Sequence, residues 1–376
     1  MNVLFIGPYR QDDGWGNAAK AYIRALARIE SINLCIRPIY MGSSVCEIDE
    51  DIIEFEYNSF DQYDVVIQNV LPSFCDYSSK FKKNICLAYT ETNMLGETGW
   101  VEKLNLMDEV WVPSSQEKSN LVDSGVTSDI SVVPIPMDVE GIQSLDEELN
   151  INEIDSDSFL FLVCGEFIER KNIAAVISAF HAEFSPTENA ELLIKTNRSG
   201  MTPHDLLQAV TDKANSVKAR LRMYPSLDVY KKNYIITDRM QKEHLLALFK
   251  SADCFVMASH GESWCIPAAE CMALGTPCIV TSNTGMTEFV NDDNGWLVDS
   301  IETHVSTKEA PLPYLYTAHE TWRQVDMMSL RKAMRQAFED SKLLSEKSSK
   351  CIEQVKKYSF GSVSKKIEEV LQDVSS

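Results

Sequence analysis

What most constrains the fold of this chain is a repeated alternation of a short apolar run, closed by turn residues, with a stretch of helical spacing. From the N-terminus the runs are VLFIG (3–7), LCIRPI (34–39), DVVIQ (64–68), ICLAY (85–89), EVWVP (109–113) and ISVVPI (130–135). Strands that are apolar throughout must be covered on both faces, which a parallel sheet with helices on each side achieves. The opening MNVLFIGPYR reads as the first such strand, because it lacks the basic flank and long apolar core of a signal peptide.

The rhythm breaks over 138–157, a stretch rich in Asp, Glu, Asn and Ser, and this reads as a linker. It restarts with FLFLVCG (159–165), ELLIKT (191–196), YIIT (234–237), CFVMA (254–258) and PCIVT (277–281), with helical stretches over 173–180, 204–222 and 241–250. After about residue 320 the pattern is helical with no further strand. A length of 376 residues suits two such doubly wound units, each with its own core. The expected division is 1–145, 146–355 and a terminal helix within 356–376, with a cleft where the two units face each other.

Charge and cysteine usage narrow the function. A formal net charge of −21 disfavours non-specific binding to nucleic acid or anionic lipid. The local clusters Lys80, Lys82, Lys83 and Lys213, Lys218, Arg220, Arg222 read as solvated faces. The 10 cysteines are scattered singly inside apolar runs without metal-ligand spacing, so they read as buried thiols in a reducing cytoplasm, with no metal site. No stretch reaches the roughly 18 apolar residues of a membrane-spanning helix, which leaves a soluble or peripheral protein.

The most informative segment is HGESWCIPAAECMALGTPCIVTS (260–282), directly after a strand. Pro267 suits the first turn of a helix and Gly275 the position just past its end, which predicts a helix over 267–274 with Glu270 in its first turn. Glu262 lies on the loop before it. Two carboxylates and the amides of Ser263, Trp264, Cys265 and Ile266 then converge at the carboxyl edge of a parallel sheet, where such sheets bind ligands. Amides at a helix start favour an anion, and flanking carboxylates accept from paired hydroxyls. Those are the parts of a sugar nucleotide.

GESWCIPAAE resembles the two-glutamate signature of glycosyltransferase family 4, and ALGTPCIVTS (273–282) resembles its continuation. The resemblance implies a GT-B fold, transfer with retention of anomeric configuration, Glu262 on hydroxyls of the transferred sugar and Glu270 on the ribose. The family commonly places Gly where this chain has Cys265. GEFIERKN (165–172) resembles the family's cationic clamp on the donor diphosphate, with Arg170 and Lys171 matching and Glu166 where many members carry Arg. DDGWGNAAKAYIRALA (12–27) resembles its glycine-rich loop, in which Gly14 and Gly16 let the backbone approach the diphosphate. YTETNMLGETGW (89–100) has no His where many members carry one beside the sugar, which makes Glu91 the candidate for orienting the acceptor. By the family pattern the base rests near Asp238, Arg239 and Met240.

The implied reaction moves a sugar from a UDP- or GDP-sugar to a hydroxyl on a carbohydrate or glycolipid acceptor, with no cofactor and no metal. The other readings are a nucleotide-sugar-binding partner without turnover, a sugar transferase acting on DNA bases, which the charge opposes, and least of all a dehydrogenase. Oligomeric state has no signal in the sequence.

Overall fold

A computed structural model describes residues 1–41, 45–149, 151 and 153–372. The linker reading over 138–157 thus includes two residues outside the described set, and so does the end of the terminal segment, 373–376. The chain divides into two compact units, one formed by Met1–Val139, Ala310–Thr321 and Lys356–Ser376, the other by Glu140–Glu309 and Trp322–Val355.

The first unit carries six parallel strands, β1 (Asn2–Gly7), β2 (Asn33–Pro38), β3 (Val65–Gln68), β4 (Lys83–Leu87), β5 (Glu109–Val112) and β6 (Asp129–Val132), in the order β2-β1-β3-β4-β5-β6. The crossovers include α1 (Gly14–Leu26), α2 (Glu50–Tyr57), α3 (Trp100–Leu104) and α4 (Ser115–Asp123). β3 and β5 are buried along their whole length, as their uninterrupted apolar runs require. Asp13 caps α1 by accepting from the Gly16 N–H at 2.9 Å, and Ser114 caps α4 through the Glu117 N–H at 3.2 Å. The segment Ala310–Thr321 belongs here: Leu315 is buried in this core, Thr92 donates to Glu320 at 2.6 Å, and Tyr314 shares a 2.8 Å hydroxyl contact with Ser73. These contacts join residues more than 200 positions apart, and no local pattern announces them.

The short helix α5 (Val139–Gln143) begins the stretch read as linker, and that stretch is seated: Leu145 O accepts from Lys250 at 2.8 Å, and the Leu149 N–H reaches Ser251 at 2.7 Å. The second unit then runs β7 (Phe159–Glu166), α6 (Ile173–Glu183), β8 (Ala190–Asn197), α7 (Pro203–Leu221), β9 (Asn233–Ile236), α8 (Lys242–Lys250), β10 (Cys254–Met257), α9 (Ile266–Ala273), β11 (Cys278–Thr281) and β12 (Gly295–Val298). The parallel order is β12-β11-β10-β7-β8-β9. A two-stranded ribbon, β13 (Ser300–His304) with β14 (Thr321–Val325), precedes α10 (Met327–Glu339) and α11 (Ser341–Val355). β14 corrects the expectation of helix alone after residue 320, and β12 and β13 were also not anticipated. They are four or five residues long, and β13 and β14 carry polar or charged side chains (Glu302, Arg323, Gln324) in place of an apolar run, so no strand period stands out. Finally α12 (Phe360–Leu371) packs on α1 within the first unit, where Ser364 donates to Ala25 O at 2.8 Å.

Candidate functional site

In the second sheet, consecutive strands run outward from β7 through β8 to β9, and the chain then returns to β10 on β7's other side. The order therefore reverses between β7 and β10. The carboxyl edge at that reversal is the crevice where doubly wound sheets take ligands. Arg170 and Lys171 lie on the loop after β7, and Glu262 lies on the loop after β10.

The crevice is built tightly. A single 3₁₀ turn, Glu169–Lys171, follows β7, and Asn172 then takes the left-handed conformation with φ 50° to start α6. The Asn172 amide reaches Ala258 O at 3.0 Å, and the His260 N–H reaches Arg170 O at 2.8 Å, so the two loops are stitched together. His260 in turn stacks on Trp322 with ring centres 4.4 Å apart, its Nδ1 against Arg323 O at 2.7 Å. Lys171 Nζ donates to both oxygens of Glu262, at 2.7 and 2.8 Å. Arg170 donates to Gly261 O at 2.6 Å and stands 3.4 Å from the same carboxylate. Burial alone would push the Glu262 carboxyl up, but the charges of Lys171 and Arg170 outweigh it and hold it below the usual range.

The helix start that follows departs from expectation in register. α9 begins at Ile266, so Pro267 is its second residue and Glu270 its fifth, in the second turn rather than the first. Gly275, with φ 85°, ends it as anticipated. Glu270 is buried and pairs with Lys242, the first residue of α8. Cys265, standing where a glycine was expected, is held at φ 83° and ψ 81°, a conformation that disfavours any side chain. Burial pushes its thiol up to about 12, with the Glu262 charge adding to the effect. Trp264 packs on Phe289 with ring centres 4.8 Å apart, anchoring the loop from below.

Solved structures that share this architecture include sucrose-phosphate synthase from Thermosynechococcus elongatus, with TM-score 0.67 and 14% identity over 100% of this chain and 99% of that one. HepE from Anabaena, described in complex with UDP-glucose, has TM-score 0.67 and 12% identity over 99% of this chain and 100% of the other. The fold is GT-B. Residues 144–307, which include Arg170, Lys171, Glu262 and Glu270, match the family model described as glycosyl transferases group 1. A D-inositol 3-phosphate glycosyltransferase from Xylanimonas cellulosilytica is 28% identical over 185 residues, covering 49% of this chain and 40% of that relative.

Within this GT-B chain the remaining candidates fall as follows. Met240 is partly buried on the loop between β9 and α8, beside the exposed Asp238 and Arg239. Gly14 and Gly16 are the first and third residues of α1 itself, not part of a loop ahead of it. A Cβ on Gly16 would lie 2.0 Å from Gln11 O, so close packing against the preceding turn requires that glycine. Glu91, four residues beyond β4, accepts from the Tyr316 hydroxyl at 3.1 Å. The two supposed basic faces are not continuous: Lys82 pairs with Asp64, Lys83 with Glu109, and Lys218 is buried against Lys231 O.

Three contributors were not read from the sequence. Lys242 holds Glu270 from a neighbouring helix. His260 fastens the Glu262 loop to the β7 loop. Gly285 accepts the Glu262 loop against its own backbone: its N–H donates to Glu262 O at 2.7 Å, and a Cβ there would meet Ser263 O at 2.0 Å. The Thr284-Gly285 pair after a strand was the available signal for the last. Nine of the ten cysteines are buried and Cys46 is partly exposed, all of them unbridged. No helix among the described residues is long and apolar enough to cross a membrane.

Proposed function

We propose that this chain is a retaining glycosyltransferase that binds a UDP- or GDP-sugar at the β7/β10 crevice and moves the sugar to a hydroxyl of a carbohydrate or glycolipid acceptor. The observation that carries the reading is the Lys171–Glu262 pair, a buried carboxylate and a half-buried ammonium placed across a topological switch point in a segment similar to glycosyl transferases group 1.

The pair suggests how the donor enters. Lys171 satisfies both oxygens of Glu262. A diphosphate on the β7 loop competes for that ammonium. As Lys171 turns to phosphate oxygens, Glu262 is left with Arg170 nearby and open lone pairs, and sugar hydroxyls take the place of the lysine. Donor binding is thus an exchange of partners among charged groups, which avoids stripping a buried carboxylate of all its hydrogen bonds. Glu270, held by Lys242, accepts from the paired ribose hydroxyls.

In the transfer step the bond from the anomeric carbon to the phosphate oxygen breaks, and a bond to the acceptor oxygen forms on the same face. The acceptor proton passes to the departing phosphate oxygen. Lys171 and Arg170 stabilise the negative charge growing there. Glu91 orients the acceptor.

Incubation with UDP- and GDP-sugars, followed by assay of released nucleoside diphosphate, tests the reading. Turnover should be lost in Glu262→Ala and Lys171→Ala, each removing on the order of 3 kcal/mol from transition-state stabilisation. Full activity in both variants would end the assignment, and tight donor binding with no turnover in the wild type would leave a binding protein.

A further inference from the structure

One buried charge beside the crevice has no partner in the scheme above. Lys195, on β8, is 6% exposed, and its one hydrogen bond among the described residues is a 3.4 Å contact to the carbonyl of the next residue, Thr196. It has no ion pair there. Other buried lysines of this unit are satisfied: Lys218 donates to Lys231 O at 2.8 Å, and Lys347 to Asp292 O at 2.6 Å and Gly295 O at 2.7 Å. An ammonium out of water with only one weak acceptor is costly, and folds retain such groups chiefly where a ligand completes them.

The position of Lys195 says which part of a ligand would do so. Along β8, Leu192 and Ile194 face the core that includes α6 and α7, so alternation turns Lys195 to the opposite face. On β7 its register partner is Cys164, whose thiol feels the charges of Lys195, Glu270, Lys171 and Lys242 together. Lys195 therefore sits with the donor-site charges. Across the sheet, the Glu262 loop follows β10, the Lys171 loop follows β7, Lys195 stands on β8, and the loop with Asp238 and Met240 follows β9. Asp238 is the carboxylate whose charge Lys195 feels. Lys242, which holds Glu270, lies four residues past Asp238. A donor with its sugar over β10 and its diphosphate over β7 brings its nucleoside over β8 and β9.

Resting on the glycosyltransferase reading, we infer that Lys195 reads the nucleobase, donating to a ring carbonyl oxygen and so favouring uracil or guanine over adenine. An ammonium has three donors and no acceptor, so it matches the keto oxygen of uracil or guanine and meets only a competing donor at the adenine amino group.

The test compares wild type, Lys195→Met and Lys195→Arg by calorimetric titration with UDP, GDP, ADP and inorganic pyrophosphate, alongside the melting temperature of each unliganded protein. The wild type should prefer UDP or GDP to ADP. Lys195→Met should lose roughly tenfold or more of that affinity, bind ADP as before, bind pyrophosphate as before, and melt no lower than the wild type, because an uncompensated buried charge has gone. Lys195→Arg should bind more weakly than the wild type while keeping the base order. Unchanged UDP and GDP affinity in Lys195→Met overturns the inference and leaves the glycosyltransferase reading standing. An equal loss for pyrophosphate makes Lys195 a phosphate ligand and overturns base reading. A lower melting temperature or failure to fold makes the lysine structural and also overturns it. No nucleotide binding by the wild type would defeat the inference together with the reading beneath it.

Discussion

Lys171 Nζ lies 2.7 and 2.8 Å from the two carboxylate oxygens of Glu262, joining the loops that leave β7 and β10. The carboxylate side chain is 5% exposed and the lysine 16%, so the pair is largely removed from water. Breaking it from one side leaves an uncompensated charge. Lys171→Met should destabilise the protein by about 2 kcal/mol, below the usual cost of breaking a buried pair because Arg170 remains close. The double variant Lys171→Met/Glu262→Gln should recover most of the loss. Chemical denaturation of the three variants checks both statements.

Gly285 should tolerate no side chain. A Cβ there would come within 2.0 Å of the Ser263 carbonyl oxygen and 2.7 Å of that of Glu262, both backbone atoms that cannot swing aside. Gly285→Ala should cost about 3 kcal/mol and displace the Glu262 loop. Thermal unfolding together with donor affinity measures the two effects, and both should fall.

Cys265 carries backbone strain at the start of α9. With φ at 83°, Cys265→Gly should be neutral or stabilising by up to about 1 kcal/mol, the relief of strain offsetting the lost thiol packing. Cys265→Val should destabilise by about 2 kcal/mol or more, since β-branching suits that region least. The order Gly, Cys, Val in melting temperature is the expected result.

The stability of the second unit should depend on pH through Glu188. A hydrogen bond from Arg335 outweighs the cost of burial and, with help from the Ser185 N–H, holds the Glu188 carboxyl at about 2, against an ordinary value of 4.5. A depressed folded value means the contribution is complete above 4.5 and is lost as pH falls toward about 2. Denaturation across that window should show stability declining with acid. Glu188→Gln should lower stability at neutral pH and flatten the decline.

Much of the architecture is legible in the sequence because it is local. Each apolar run from VLFIG to PCIVT became a parallel strand within a few residues, since a strand covered on both faces has one simple signature. Pro267 and Gly275 framed α9 to within one residue for the same reason. What escaped depends on contacts remote in sequence: the pairing of β14 with β13, Ala310–Thr321 packed in the first unit, and Lys242 brought to Glu270 from another helix. Gly16 is a third case: the glycine pattern is visible in the sequence, but the close approach of Gln11 O, which leaves no room for a Cβ inside α1, depends on how the preceding turn folds back.

The central claim divides the glutamate pair, giving Glu262 to the sugar and Glu270 to the ribose. It is tested most directly by titrating Glu262→Ala and Glu270→Ala with whichever of UDP and GDP the wild type binds more tightly, and then with pyrophosphate. Glu270→Ala should weaken the nucleoside diphosphate by roughly tenfold or more and leave pyrophosphate untouched. Glu262→Ala should bind the nucleoside diphosphate at least as well as the wild type, because Lys171 is released to the phosphates. Weaker binding in Glu262→Ala with wild-type binding in Glu270→Ala would contradict the division.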